Sequence, residues 1–199
     1  MASLQTKIQI WNMALDLLEE QPLASTADTT ATALWLTRNY DQQRDYLLQN
    51  TYLWKFALDR ASVPAESSAP AWDWDYKYQL PTDCLRFIPP TLDGSWDGTP
   101  IPFEEESGYI LCGKEAPLRL RYVKRVTNEG LFSNGFCEVL SIRLALRMAH
   151  FLTGKASMVA QLQANFDKTL ADVKEASALQ VAQDHYYDTD ILVERSTYP

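Results

Sequence analysis

Leu4, Ile8, Trp11, Leu15 and Leu18 recur at steps of four, three, four and three residues, with polar positions between them. That is the stripe of an amphipathic helix. Ser3 stands before it as a cap residue, and Pro22 follows as a stop. The turn-rich loop QPLASTADTT leads to a second cap at Thr29 or Thr30. A second helix is predicted over 31–50, with Ala33, Leu36, Tyr40 and Leu47 inside and Arg38, Asp41, Arg44 and Asp45 outside. The period then shortens. Trp54, Phe56 and Leu58 alternate with Lys55 and Asp59, which predicts a strand over 54–60.

After an exposed loop, SVPAESSAPA, alternation becomes the dominant pattern. Trp72, Trp74, Tyr76, Tyr78 and Leu80 fall on one side, and Asp73, Asp75, Lys77 and Gln79 on the other. This predicts a half-buried strand from Trp72. Pro81 must end or bend it, and Asp83 is placed to accept backbone N–H groups of a turn. Leu85, Phe87 and Ile88 begin another strand, and DGSWDG (93–98) carries two Asp-Gly turn signals. Ile101 with Phe103, Tyr109 to Cys112, and Leu118, Leu120 and Tyr122 supply further short strands.

Helical text returns at Ser133. FCEVLSIRLALRMAHFL is apolar nearly all round, as a buried central helix is, and Gly154 suits its C-terminal cap. Met158, Leu162, Phe166, Leu170 and Val173 mark a fourth helix that fades near Gln180. The chain thus divides into N-terminal helices over 1–53, a β-rich insert over 54–130, C-terminal helices over 131–182 and an extended tail over 183–199. The expected class is α+β: a bundle of about four helices from both chain ends, carrying a small antiparallel β-sheet or sandwich.

A length of 199 residues suits one domain, or one domain with an insertion. The net charge of −8 argues against nucleic acid or anionic membrane sought through bulk electrostatics. Six Trp and ten Tyr suit large packed surfaces or interfaces. Cys84, Cys112 and Cys137 are widely spaced and read as reduced, buried thiols. The N-terminal stretch is too polar for a signal peptide, no stretch has the length of a membrane span, and the chain is expected in the cytosol when made.

Candidate chemistry is sparse. His150 follows Arg143 and Arg147 at helical steps, which makes a polar stripe. His185 lies among Asp184, Asp188 and Asp190 but lacks the glycine turn of a calcium loop, so a solvated acidic tail is expected. No nucleophile elbow, zinc-protease motif, phosphate loop or dinucleotide fingerprint occurs. Glu104, Glu105 and Glu106 read as a loop run diverging into solvent or an interface. Arg119, Arg121, Lys124 and Arg125 form a basic set on the last strand, able to contact phosphates or carboxylates; in so acidic a chain, carboxylates are favoured. No enzyme emerges from these residues, and no cofactor or metal is implied.

A set of motifs then recurs in a known order: MALDLLEE (13–20), LLQNTYLWKFALDRA (47–61), YQLPTDCLR (78–86), Arg121-Tyr122-Val123, and Phe136 followed by the Leu140–Ala145 helix. In this layout the chain resembles the tail tubular protein A family, the head–tail adaptors of short-tailed bacteriophages. The resemblance implies a non-enzymatic virion protein at the head–tail junction, made in the host cytoplasm. Its copies would form a closed ring, typically a dodecamer. The implied partners are the portal protein, the tail nozzle (tail tubular protein B), tail fibres, and phage DNA passing through the lumen during genome ejection without sequence-specific binding. No membrane partner is implied. On this reading Glu104, Glu105 and Glu106 pair with Arg119, Arg121, Lys124 and Arg125 across subunits. Tyr186, Tyr187, Ile191, Leu192 and Tyr198 anchor the tail to the portal. The lumen wall is expected to be acidic or neutral. Two other readings remain: a small α+β nucleic-acid-binding or regulatory domain using the Arg119–Arg125 strand, and a hydrolase with an acidic site.

Overall fold

The computed structural model describes the backbone of residues 5–152 and 156–196, and the side chains of residues 5–149, 152 and 156–178. The described residues form four α-helices and two three-stranded antiparallel sheets, the α+β class expected. The chain makes two compact units, Met1–Tyr40 with Phe132–Pro199, and Asp41–Leu131.

In the helical unit, α1 spans Lys7–Asp16 and is capped by Thr6, where Ser3 was expected; Ser3 lies outside the described residues. The Thr6 N–H donates to Gln9 Oε1 at 2.7 Å, one arm of a capping box. The helix also ends earlier than Pro22 requires. Glu19 takes a left-handed φ of 58°. The Glu20 N–H donates to Leu15 O at 3.1 Å and the Glu19 N–H to Asp16 O at 3.2 Å, which closes a Schellman motif. Trp11, Leu15 and Leu18 are buried as the stripe predicts, Ile8 is half-buried, and Leu4 lies outside the described residues; Ile10 and Ala14, which the stripe did not include, are buried as well. The side-chain amide of Asn12 binds both backbone groups of Leu23, at 3.0 and 2.9 Å, fixing the loop that leaves α1.

The second helix, α2 (Ala31–Asn50), is capped by Thr30, whose Oγ1 accepts the Ala33 N–H at 3.2 Å. The division between the two units falls inside this helix. Trp11 and Tyr40 meet edge to face at 6.2 Å, and the Lys7 ammonium lies 4.5 Å from the Tyr40 ring. The third, α3 (Asn134–Leu152), begins where Ser133 Oγ accepts the Phe136 N–H at 3.2 Å. Buried Phe136, Val139, Leu140, Ile142, Leu144 and Met148 bear out a central helix apolar on most faces. It packs against α1 and against α4 (Ala156–Ser196), so helices from the two chain ends share one core.

The last helix overturns one expectation. Its backbone stays helical through Ser196, across residues 183–196 where an extended tail was predicted. Residues 179–196 contain neither Gly nor Pro, so nothing stops propagation even where the apolar stripe fades.

The second unit is a small sandwich. One sheet has the order β1–β6–β3, with β1 at Leu58–Val63, β3 at Cys84–Ile88 and β6 at Leu118–Lys124. The other has the order β2–β5–β4, with β2 at Tyr76–Gln79, β4 at Phe103–Glu106 and β5 at Tyr109–Cys112. Val63, Leu118 and Leu120 of the first sheet cluster with Tyr78, Ile110 and Cys112 of the second. Phe87 and Phe103 meet across the gap at 5.4 Å. The Pro81–Asp83 corner is therefore where the chain passes from one sheet to the other.

Two strands begin later than alternation predicts. Trp54 opens a 3₁₀ turn at Lys55–Ala57, so β1 starts only at Leu58. Trp72 to Asp75 alternate without a partner strand: Asp73 has φ 66°, the Trp74 N–H turns back to Trp72 O at 2.9 Å, and Trp72 is 76% exposed. Alternation records a face, whereas a strand also needs a ladder. Glu104 to Glu106, read as loop, instead lie in β4.

Candidate interaction surfaces

On β6 the pleat sends Leu118, Leu120 and Tyr122 inward and leaves Arg119 and Arg121 on the outer face. The antiparallel register sets Arg60 opposite Arg121 and Ser62 opposite Arg119, so a third guanidinium joins that face. The DGSWDG loop folds over it. Arg119 Nη1 donates to Asp93 O and Arg121 Nε to Gly94 O, each at 3.1 Å, and the Arg121 guanidinium lies 5.5 Å from the Trp96 ring. Glycine makes this approach possible: Gly94 has φ 75°, and a Cβ there would sit 2.5 Å from Arg119 Cβ.

The Asp93 carboxylate accepts from the Ser95 N–H at 2.9 Å and from Ser95 Oγ at 2.8 Å. These bonds, with a smaller contribution from Arg119, hold it below the usual carboxylate range. Beside the loop lies a hollow of about 440 Å³ lined by Arg60, Ser62, Asp93, Ser95, Arg119 and Arg121. Among the described residues, no carboxylate forms an ion pair with any of the three arginines.

Lys124 and Arg125 do not share this arrangement. Lys124 Nζ lies 3.2 Å from Asp59 Oδ2 and 3.6 Å from Asp83 Oδ2, while Arg125 Nε lies 2.9 Å from Asp45 Oδ2. The hydrogen bond to Asp59 raises the Lys124 ammonium pKa. Asp59 in turn is lowered, first by the Arg60 N–H and then by Lys124. Asp83 thus directs its carboxylate to Lys124 and to the Tyr122 hydroxyl, where a turn N–H was expected to take it. The basic set read from the sequence separates into two groups: Arg119 and Arg121 in the hollow, Lys124 and Arg125 in ion pairs within the chain.

The outer face of the other sheet carries a second concavity, about 300 Å³, lined by Trp72, Asp73, Trp74, Lys77, Glu104, Glu106 and Tyr109. Trp74 Nε1 donates to Glu104 Oε2 at 3.0 Å, and the Lys77 ammonium lies 3.9 Å from the Tyr109 ring. The pleat divides the glutamate run. Glu104 and Glu106 pair across from Leu111 and Tyr109 on this outer face, whereas Glu105 pairs across from Ile110 on the inner one. Glu105 adds to the rise of the Cys84 thiol to about 11, after burial and Asp83.

Arg60 and Trp96 were not singled out by sequence. A lone arginine in β1 gives no signal, because its meaning lies in a register with a strand some sixty residues away. The side chains of His150, His185, Tyr186, Tyr187, Ile191 and Leu192, and all of Tyr198, lie outside the described residues. Among the described residues, no group of three or more His, Cys, Asp or Glu is disposed to hold a metal ion, and no helix is long and apolar enough to cross a membrane. No protein-family model matches the chain, and no curated protein matches it.

Proposed function

We propose that the chain is a structural head–tail adaptor subunit of a short-tailed phage, building a ring between portal and tail nozzle through which DNA passes. The observation that carries this reading is the ordered motif set, from MALDLLEE through YQLPTDCLR to the Leu140–Ala145 helix. The architecture supports it by supplying two separate parts. One is a helical unit built from both chain ends, and the other is a β-sandwich unit between them. The sandwich carries charged outer surfaces of opposite sign, which a ring of identical copies can use.

The test is electron microscopy of the purified protein mixed with the portal of the same particle, together with light scattering on a sizing column. A ring of this chain seated on the portal is the expected result. A chain that stays monomeric, leaves portals bare and retards a DNA duplex would overturn the adaptor reading in favour of a nucleic-acid-binding domain.

A further inference from the structure

We infer that copies of this chain associate head to tail through the two outer faces of the sandwich, the arginine hollow of one copy receiving the Trp72–Glu104–Glu106 groove of the next. The inference rests on the self-assembly part of the adaptor reading and names the surfaces that would carry it.

Charge is the first argument. The hollow gathers the guanidiniums of Arg60, Arg119 and Arg121 against the single carboxylate of Asp93, a net charge of +2. The groove gathers the carboxylates of Asp73, Glu104 and Glu106 against the single ammonium of Lys77, a net charge of −2. The two surfaces match in magnitude and oppose in sign, the condition for orientation-specific docking.

Topology is the second. The inner faces of both sheets are occupied by one shared core, so the hollow and the groove point away from each other on opposite sides of the sandwich. They cannot satisfy one another within a chain. A two-fold contact would set each surface against itself, arginines on arginines. Only a heterologous contact joins hollow to groove, and repeated heterologous contacts generate rings or filaments.

The side chains are the third. Arg60 stands directly opposite Arg121, an arrangement that costs stability until a carboxylate arrives. Arg119 and Arg121 donate to the backbone carbonyls of Asp93 and Gly94 through one N–H each, leaving further N–H donors for bidentate carboxylate pairing. In the groove, Trp72 is 76% exposed and offers the flat face on which a guanidinium stacks. Trp and Arg are the residues that anchor interfaces. The contact differs from the one the sequence implied: Arg60 and Trp72 enter it, and Lys124, Arg125 and Glu105 leave it.

Sedimentation velocity on the full chain tests this with wild type, Arg60→Glu, Glu106→Arg and an equimolar mixture of the two variants. Urea unfolding of each variant checks that it is folded. Wild type should self-associate, and each variant alone should associate roughly tenfold more weakly or worse, because like charges now face each other. The mixture should recover, since wild-type contacts then alternate with contacts whose charges are swapped on both sides. Variants that associate as wild type, or a mixture that stays dissociated, would overturn the pairing while leaving any portal-bound ring standing. A wild type that is monomeric at every concentration also overturns it, and the portal experiment then decides the adaptor reading separately. If Arg60→Glu associates normally but loses affinity for a DNA duplex, the hollow is a nucleic-acid surface and the inference falls.

Discussion

Arg60 on β1 stands directly opposite Arg121 on β6, two like charges at one register position of an antiparallel pair. Cross-strand pairs of this kind are destabilising, and an opposite-charge pair contributes roughly 0.2–1 kcal/mol. The isolated subunit should therefore gain stability when Arg60 becomes Glu, because Arg121 acquires a partner. Urea unfolding of dilute protein should show a midpoint above that of wild type. The same substitution should weaken self-association. A variant that is both less stable and less associated would point to simple misfolding of β1.

Much of this arrangement was legible in the sequence, and the reasons for the remainder are physical. The stripes of α1, α2 and α4 and the all-round apolar α3 were readable because helix burial is a local periodicity. The inward residues of β6, Leu118, Leu120 and Tyr122, were readable for the same reason. Partnership was not. Nothing local says that Leu85 and Phe87 join a different sheet from Tyr76 and Tyr78, or that Arg60 meets Arg121. Trp72 and Trp74 alternate as a strand does, yet no strand pairs with them. Glu104 to Glu106 looked like loop because three consecutive carboxylates have poor strand propensity, which pairing with β5 overrides.

Glu19 closes the Schellman turn of α1 at φ 58°, a position where glycine has no steric penalty. Its side chain is exposed, so little packing is lost on removing it. Glu19→Gly should stabilise the protein by roughly 0.5–1 kcal/mol, the strain relieved at a left-handed position less the extra backbone entropy that glycine loses on folding. Glu19→Val should destabilise it, since a β-branched residue tolerates that conformation worst. Thermal unfolding of the pair decides; equal midpoints would place Glu19 outside the left-handed region.

Gly135 lies in the first turn of α3, against α4. A Cβ there would fall 2.8 Å from Val173 Cγ2 and 3.1 Å from Val173 Cγ1. Valine is stiff about χ1 and cannot swing aside, so Gly135→Ala should force the helices apart at a cost of roughly 1–3 kcal/mol. Adding Val173→Ala should recover much of that loss, and a double-mutant cycle should report the coupling. Additive effects would mean that the two residues do not meet.

The described packing of α4 involves Leu162, Phe166, Thr169 and Val173, all well before Gln183. Deleting the residues after Gln183 keeps these contacts and should leave a folded protein. On the adaptor reading, the truncated protein should fail to attach to portals. Attachment and infectious particles at normal titre would show that residues 184–199 have no docking role.

Alkaline pH should unfold the sandwich unit first. Burial, the leading cause in each case, pushes the Cys84 thiol from 9.0 to about 11 and the Tyr78 and Tyr122 hydroxyls from 10.0 to about 12. Cys112 is raised as well, again through burial. In the unfolded chain these groups release their protons near 9 and 10, whereas the folded chain holds them beyond that. Across this interval the folded state binds more protons, so stability falls as pH rises. The loss should be absent below about pH 9, grow through the interval, and level off near pH 12 once the folded groups also ionise. The part of the tyrosinate absorbance that Tyr78→Phe and Tyr122→Phe remove should then rise together with loss of structure. Tyr122→Phe removes the hydroxyl that faces Asp83 and should move that loss to higher pH. If that part of the signal instead appears near the ordinary tyrosine value of 10.0 while the fold persists, Tyr78 and Tyr122 are not buried as described.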